Sequence, residues 1–282
     1  MKPTVTFTRS DGQVYVIDDK LLGIVEIEGL GKSATEIFTE KRAVGNGDVV
    51  TGKRVPSRAV TIKARSRVNG INRQLREIAS SFFSSLYTYD VDFQYEGIEK
   101  SAKGCEIKVV DMPTGNVNKP FKIAVTVLVP AGYLQGGGMN GQNLNGVRGG
   151  FGFPYVSLVD FGMVYGVYLY NKQTTVINDG VAPTYMRADI TARGEVENPK
   201  LICNGSYIRL VAALKQGDRV EIDTEKRTVL LNGENAITKL DKKSSFHGME
   251  MQVGSNVIGF DADSGDNLLD VSVYWAKKYE TM

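Results

Sequence analysis

Tyr87-Thr88-Tyr89-Asp90-Val91-Asp92-Phe93-Gln94-Tyr95-Glu96 alternates aromatic or aliphatic side chains with polar ones along its whole length. Side chains of an extended chain point alternately to opposite faces, so this stretch is a β-strand with one buried and one wet face. Phe121, Ile123, Val125, Val127 and Val129 repeat the pattern, and Val271, Val273 and Trp275 repeat it near the end of the chain. Between them, Leu201-Ile202-Cys203 and Tyr207-Ile208-Arg209-Leu210 flank Asn204-Gly205, and Val229-Leu230-Leu231 runs into Asn232-Gly233. Asn-Gly supplies the positive φ angles of a two-residue type I′ turn, so both sites are predicted hairpins. The second half of the chain therefore reads as an antiparallel sandwich.

One segment breaks the period of two. Over Asn72–Ser84, Leu75, Ile78, Ala79, Phe82 and Phe83 recur at helical spacing and form one apolar stripe, with Arg73, Arg76 and Glu77 off it. An amphipathic helix among strands covers the open face of a sheet, which makes the first half α+β. Between Leu134 and Gly152, eight glycines and three asparagines leave almost no apolar periodicity. Such a run buries too little surface to offset its ordering entropy and reads as a flexible linker or loop, with Gly136, Gly138, Gly141 and Gly150 as its marks. The expected domains are residues 1–133 and 154–282, joined by 134–153. The fold class is mainly β.

The chain has 282 residues, two cysteines (Cys105 and Cys203) and a formal net charge of +2. One thiol in each half makes no disulfide framework and fits folding in a reducing compartment. The opening Met1-Lys2-Pro3-Thr4-Val5 lacks the apolar core of a signal peptide, and no stretch is apolar enough to span a bilayer, so cytoplasmic synthesis as a soluble protein is expected. So small a net charge argues against a dedicated nucleic-acid binder. Locally the balance shifts: Lys32 to Arg76 holds eleven basic residues against three acidic ones. Lys41, Arg42, Lys53, Arg54 and Arg58 are the candidate interaction surface within that run. It can face an acidic partner or line a nucleic-acid channel, or it can be solvated strand edges on which cations discourage wrong pairing.

Catalytic constellations are missing. His247 is the only histidine, which excludes His-rich zinc sites, and no Gly-x-Ser-x-Gly or Cys-x-x-Cys occurs. Gly31-Lys32-Ser33 ends like a phosphate loop, but Glu26 stands where its first glycine belongs. Gly136-x-Gly138-x-x-Gly141 matches a dinucleotide fingerprint by count only, since more Gly and Asn follow instead of a helix. Asp261, Asp263 and Asp266 form a weak candidate calcium loop; Ser272 occupies the twelfth position, where an EF-hand has its bidentate glutamate. Otherwise they are a polar turn. No enzyme activity, cofactor or resident metal is expected.

The order of these features resembles a known family. Thr6-Phe7-Thr8-Arg9-Ser10-Asp11-Gly12, Ile24-Val25-Glu26-Ile27-Glu28-Gly29-Leu30-Gly31, Gly45-Asn46-Gly47-Asp48-Val49-Val50 and Arg58-Ala59-Val60-Thr61-Ile62, followed by the helix, are similar to the first domain of distal tail proteins of siphovirus-type bacteriophages. In the second half the likeness is carried by Ile190-Thr191-Ala192-Arg193-Gly194-Glu195-Val196-Glu197-Asn198-Pro199, Gly217-Asp218-Arg219-Val220-Glu221-Ile222-Asp223, Asn232-Gly233, Ser244-Ser245-Phe246 and Gly254-Ser255-Asn256-Val257-Ile258. The resemblance implies an N-terminal ring domain closing as a homo-hexamer and a galectin-like C-terminal β-sandwich. It also implies a place at the tail tip or baseplate of the virion, after assembly in the host cytoplasm. The implied partners are the tail tube, tape-measure, tail-associated lysin-like and receptor-binding proteins, with no membrane and no direct nucleic-acid binding. The alternative reading is a carbohydrate-binding or adhesin module for a bacterial surface glycan, since the galectin-like fold alone does not decide sugar binding.

Overall fold

The computed structural model describes residues 2–282 except 33, 69, 115–118, 145, 150–165 and 170–171. Residues 1–137 together with 278–282 form one compact unit, and residues 138–277 form the second.

Unit 1 contains β1 (Thr4–Arg9), β2 (Val14–Ile17), β3 (Leu22–Glu28), β4 (Glu36–Lys41), β5 (Asp48–Arg54) and β6 (Arg58–Ser66). Helix α1 (Asn72–Phe82) follows, then β7 (Thr88–Tyr95), β8 (Ile98–Asp111), β9 (Lys122–Val129) and β10 (Leu134–Gly136). The sheet runs β2-β1-β7-β8-β9-β6-β3, every pair antiparallel. Its two end strands, β2 and β3, are consecutive in sequence and joined by only residues 18–21, so the sheet must curl to bring its edges near each other. The alternation read from Tyr87–Glu96 is real: Tyr89, Val91 and Phe93 are buried while Thr88 and Asp92 are exposed. The turn after it, Glu96-Gly97, has φ of 50° and 85°, a tight hairpin made without Asn.

Helix α1 covers the core through Leu75, Ala79 and Phe82, and Phe83 follows them inward; Ile78, expected on the same stripe, is 53% exposed. Phe7, Tyr15, Phe82, Phe83 and Tyr89 make one aromatic cluster with ring centroids 5.0–6.3 Å apart. The helix stops at Phe83, which turns extended. Beyond it, the Tyr89 hydroxyl accepts the Ser84 N–H at 2.8 Å and lies 2.9 Å from the carbonyls of Phe82 and Ser84. Arg9, only 6% exposed, completes this end by donating to the Ser81 and Phe82 carbonyls while Asp11 grips its guanidinium. A cation at a helix C-terminus also meets the negative end of the helix dipole. In return, the Arg9 guanidinium pulls the Asp11 carboxyl down to about 2.

Unit 2 begins with β11 (Asn140–Asn143), β12 (Gly146–Gly149), β13 (Gly166–Leu169), β14 (Gln173–Asn178), β15 (Met186–Ala192) and β16 (Val196–Glu197). It continues with β17 (Lys200–Cys203), β18 (Ser206–Arg209), β19 (Ala213–Leu214), β20 (Arg219–Asp223), β21 (Thr228–Leu231), β22 (Glu234–Asn235), β23 (Gly254–Asp261) and β24 (Leu269–Trp275). A six-stranded sheet, β11-β24-β15-β20-β21-β22, and a four-stranded one, β14-β23-β17-β18, share one core. Ala188, Ile190, Val220, Ile222, Val271 and Val273 come from the first, and Val176, Leu201, Cys203, Ile208, Ile258 and Phe260 from the second. This is the antiparallel sandwich the sequence predicts. Both Asn-Gly turns have the required geometry, with φ of 48° and 87° at Asn204-Gly205 and 53° and 84° at Asn232-Gly233.

The glycine-rich segment differs from its reading as a linker. Leu134–Gly136 is β10 of unit 1, while Asn140–Asn143 and Gly146–Gly149 are strands of unit 2. Backbone ladders need no apolar side chains, so a strand can form where the composition shows no period. Gly136 pairs with Lys100, and Gly138 is the first residue of unit 2. Gly141 lies against Tyr274, where a Cβ would sit 3.1 Å from the ring. Gly150 lies outside the described residues. The end of the chain differs too: strand β25 (Lys278–Tyr279) pairs with β10 in unit 1 rather than joining the sandwich.

Candidate interaction surface

Strands β4 and β5 form a two-stranded sheet of their own, outside the curled sheet of unit 1. Six pairs run from Glu36↔Arg54 to Lys41↔Asp48, with a register shift after Phe38. Every residue of the two strands is exposed except Gly52, which lies beside the Phe38 ring. Lys41, Arg42, Lys53 and Arg54 are all here, on strands or in the turn. Arg54 donates to Glu36 at 3.0 Å. The apolar content of the arm is as notable as its charge: Phe38 is 50% exposed and Val44 88%, and Ile37, Val49 and Val50 are also open to solvent. An isolated two-stranded hairpin is marginal in water, and clustered exposed apolar side chains mark a surface that another protein covers.

Arg58 does not belong to that surface. It is 7% exposed, and its Nη1 donates to the carbonyls of Gly31 at 3.0 Å and Glu280 at 2.8 Å. Arg58 is in phase with Val60, Ile62 and Ala64 on β6, so its side chain enters the protein with theirs and holds the returning tail. Burial pushes its pKa down. The tail is fastened further by Lys32 to Glu280 at 3.0 Å, by Lys100 over the Tyr279 ring, and by the Met282 N–H to the Leu30 carbonyl.

The rest of the basic run separates residue by residue. Lys63 pairs with Glu26 and Glu28, Arg67 with Asp19, and Arg73 with Glu77. Arg76 donates to the carbonyls of Met112 and Pro113 and lies over the Phe121 ring.

In the structure the carboxylates of the candidate calcium loop have protein partners. Asp261 and Asp266 both pair with Lys172, while Asp263 takes Arg209 and, at 2.7 Å, the Asn198 amide. Cations already occupy the carboxylates, and no group of three metal-ligating side chains gathers among the described residues. Hydrogen bonds from Asn198 and Arg209 hold the Asp263 carboxyl below its usual range. His247 is exposed on a short 3-10 helix. Both thiols are inert by burial, with Cys105 pushed up to about 12 and Cys203 to about 11.

Residues 179–279 match the sequence model of a family described as siphovirus-type tail component, C-terminal domain. That stretch, about a third of the chain, is similar to the family's C-terminal domain. A likeness of fold extends beyond the matched residues. The chain superimposes on the crystal structure of the SPP1 Dit (gp 19.1) protein with a TM-score of 0.67 at 13% identity, covering 97% of this chain and 98% of that one. It also superimposes on a chain of the phage P2 baseplate in its activated conformation with Ca, with a TM-score of 0.60 at 12% identity and full coverage of both chains. At such identities the likeness shows the fold, which is Dit-like from end to end. A comparison with curated proteins finds no match.

Proposed function

We propose that this tail component is the hub of a phage tail tip, a homo-hexameric ring that joins the tail tube to the host-adsorption apparatus. The family match and the Dit-like fold support a tail role; the SPP1 protein is described as a paradigm of hub adsorption apparatus, and the P2 structure is a baseplate. The observation that carries the ring is the β4–β5 arm. A closed cyclic assembly needs two different faces on each subunit, one of which fits the other on the neighbour. An apolar arm that stands free of its own core is one such face, and it stays exposed to water in a monomer. The expected neighbours are the tail tube, tape-measure, tail-associated lysin-like and receptor-binding proteins, and the protein acts without catalysis in the virion. Native mass spectrometry of the full chain tests the ring. Six copies of 30.9 kDa, about 185 kDa, is the expected species. A particle of another closed number, or a monomer that persists at tens of micromolar, contradicts it.

A further inference from the structure

Outside the β4–β5 arm, Arg65 is the one cation of the basic run whose side chain has no partner among the described residues. Arg65 on β6 and Lys122 on β9 stand directly opposite each other, both exposed on the outer face of the sheet. Directly opposed like charges destabilise an antiparallel pair. Among the described residues neither has a carboxylate within ion-pair distance. On the far side of Arg65 the partner residue is Gly23 of β3, and a Cβ there would collide with the Arg67 and Asp19 side chains. Arg67 and Asp19 therefore lie across the same row, and Lys2 joins Asp19 from the chain start. The row holds Lys2, Arg67, Arg65 and Lys122 against the single acid Asp19. Beside it opens a cleft of about 430 Å³ lined by Lys2, Pro3, Asp19, Ile24 and Arg67.

We infer that this row is a docking surface for an acidic segment of another protein, whose carboxylates fit between Arg65 and Lys122. The neighbouring row selects protein over nucleic acid. It carries Glu26 paired with Lys63, and Asp111 opposite Ala124. A phosphate backbone, with its unbroken negative charge, would run into those carboxylates; a protein surface can match alternating rows. No aromatic side chain shares the Gly23–Arg65–Lys122 row to stack a base. The opposed cations weaken the free protein slightly and gain their counter-charge on docking. This reading does not depend on the ring, because the row lies on the curled sheet and not on the arm.

The test pairs binding with stability in the full chain. A hexa-glutamate peptide and a single-stranded DNA hexamer are titrated at low salt against wild type, Arg65→Glu, and Lys242→Glu as an exposed control of equal charge change. Arg65→Glu places a carboxylate opposite Lys122, so it raises Tm by about 1–3 °C. The same substitution weakens peptide binding about tenfold or more, while Lys242→Glu leaves it nearly unchanged. Equal losses in both variants would show a non-specific charge effect and overturn the inference. Tighter binding of DNA than of peptide would overturn it in favour of a nucleic-acid surface. A fall in Tm for Arg65→Glu would show that the row is not strained.

Discussion

The two units solve the same problem, burying one face of a sheet, in opposite ways. Unit 2 lays one sheet on another, and among the described buried residues its core is mainly aliphatic, with Trp275 and Phe260 the only aromatic ones. Unit 1 curls a single sheet and closes it with one helix and a cluster of five rings in edge-on and tilted contact, while its β4–β5 arm stays outside the core. A sandwich completes its own core. A curled sheet with a free arm leaves Ile37, Phe38, Val44, Val49 and Val50 open to solvent. On the proposed function, the assembly surfaces belong to unit 1.

The chain carries its own reporters for breaking this comparison: Cys105 is buried in unit 1, and Trp275, the single tryptophan, in unit 2. The largest effect is expected from Phe83→Ala, which empties the middle of the aromatic cluster at a cost of about 3–5 kcal/mol. Urea unfolding should then expose Cys105 to a thiol reagent at lower denaturant while the Trp275 fluorescence transition stays in place. A matching shift at Trp275 would mean that the two cores unfold as one. A smaller contrast lies inside the cluster. Tyr89→Phe removes a hydroxyl that caps the helix end and should cost about 1–3 kcal/mol. Tyr15→Phe removes a buried hydroxyl that has no partner among the described residues, so thermal melts should show no loss and up to about 1 kcal/mol of gain. Equal costs for the two tyrosines would remove the helix-end argument.

The smallest expected effect is on pH. Arg9 pulls the Asp11 carboxyl from 3.8 to about 2, so the contact favours the folded state above pH 4 and is lost as pH falls towards 2. Between those values Tm should fall more steeply for wild type than for Asp11→Asn. Parallel curves would show that the Arg9 clamp does not depend on its carboxylate.

Legibility followed the range of the interactions. Strands at Tyr87–Glu96 and Phe121–Val129, the helix and both Asn-Gly hairpins depend on near neighbours, and each was readable. Arg58 could have been placed inside, because it shares its period with Val60 and Ile62; grouping it with Lys53 and Arg54 by charge hid that phase. The return of Lys278–Tyr279 to unit 1 and the opposition of Arg65 to Lys122 depend on pairings far apart in sequence, which no local pattern carries. The arm was visible only as a cationic stretch, since strands exposed on both faces have no apolar alternation to show. Within the glycine-rich segment, Gly136 and Gly141 read as flexible although each lies in a paired strand.

Hydrogen exchange read by mass spectrometry, on the full chain in dilute and in assembled solution, bears most directly on the claim that assembly surfaces are concentrated in unit 1. Amides of residues 36–54 should exchange within seconds in the dilute sample and slow by about tenfold or more on assembly, while those of 200–223 stay equally protected in both. New protection confined to 200–223, with the arm still exchanging freely, would contradict the account.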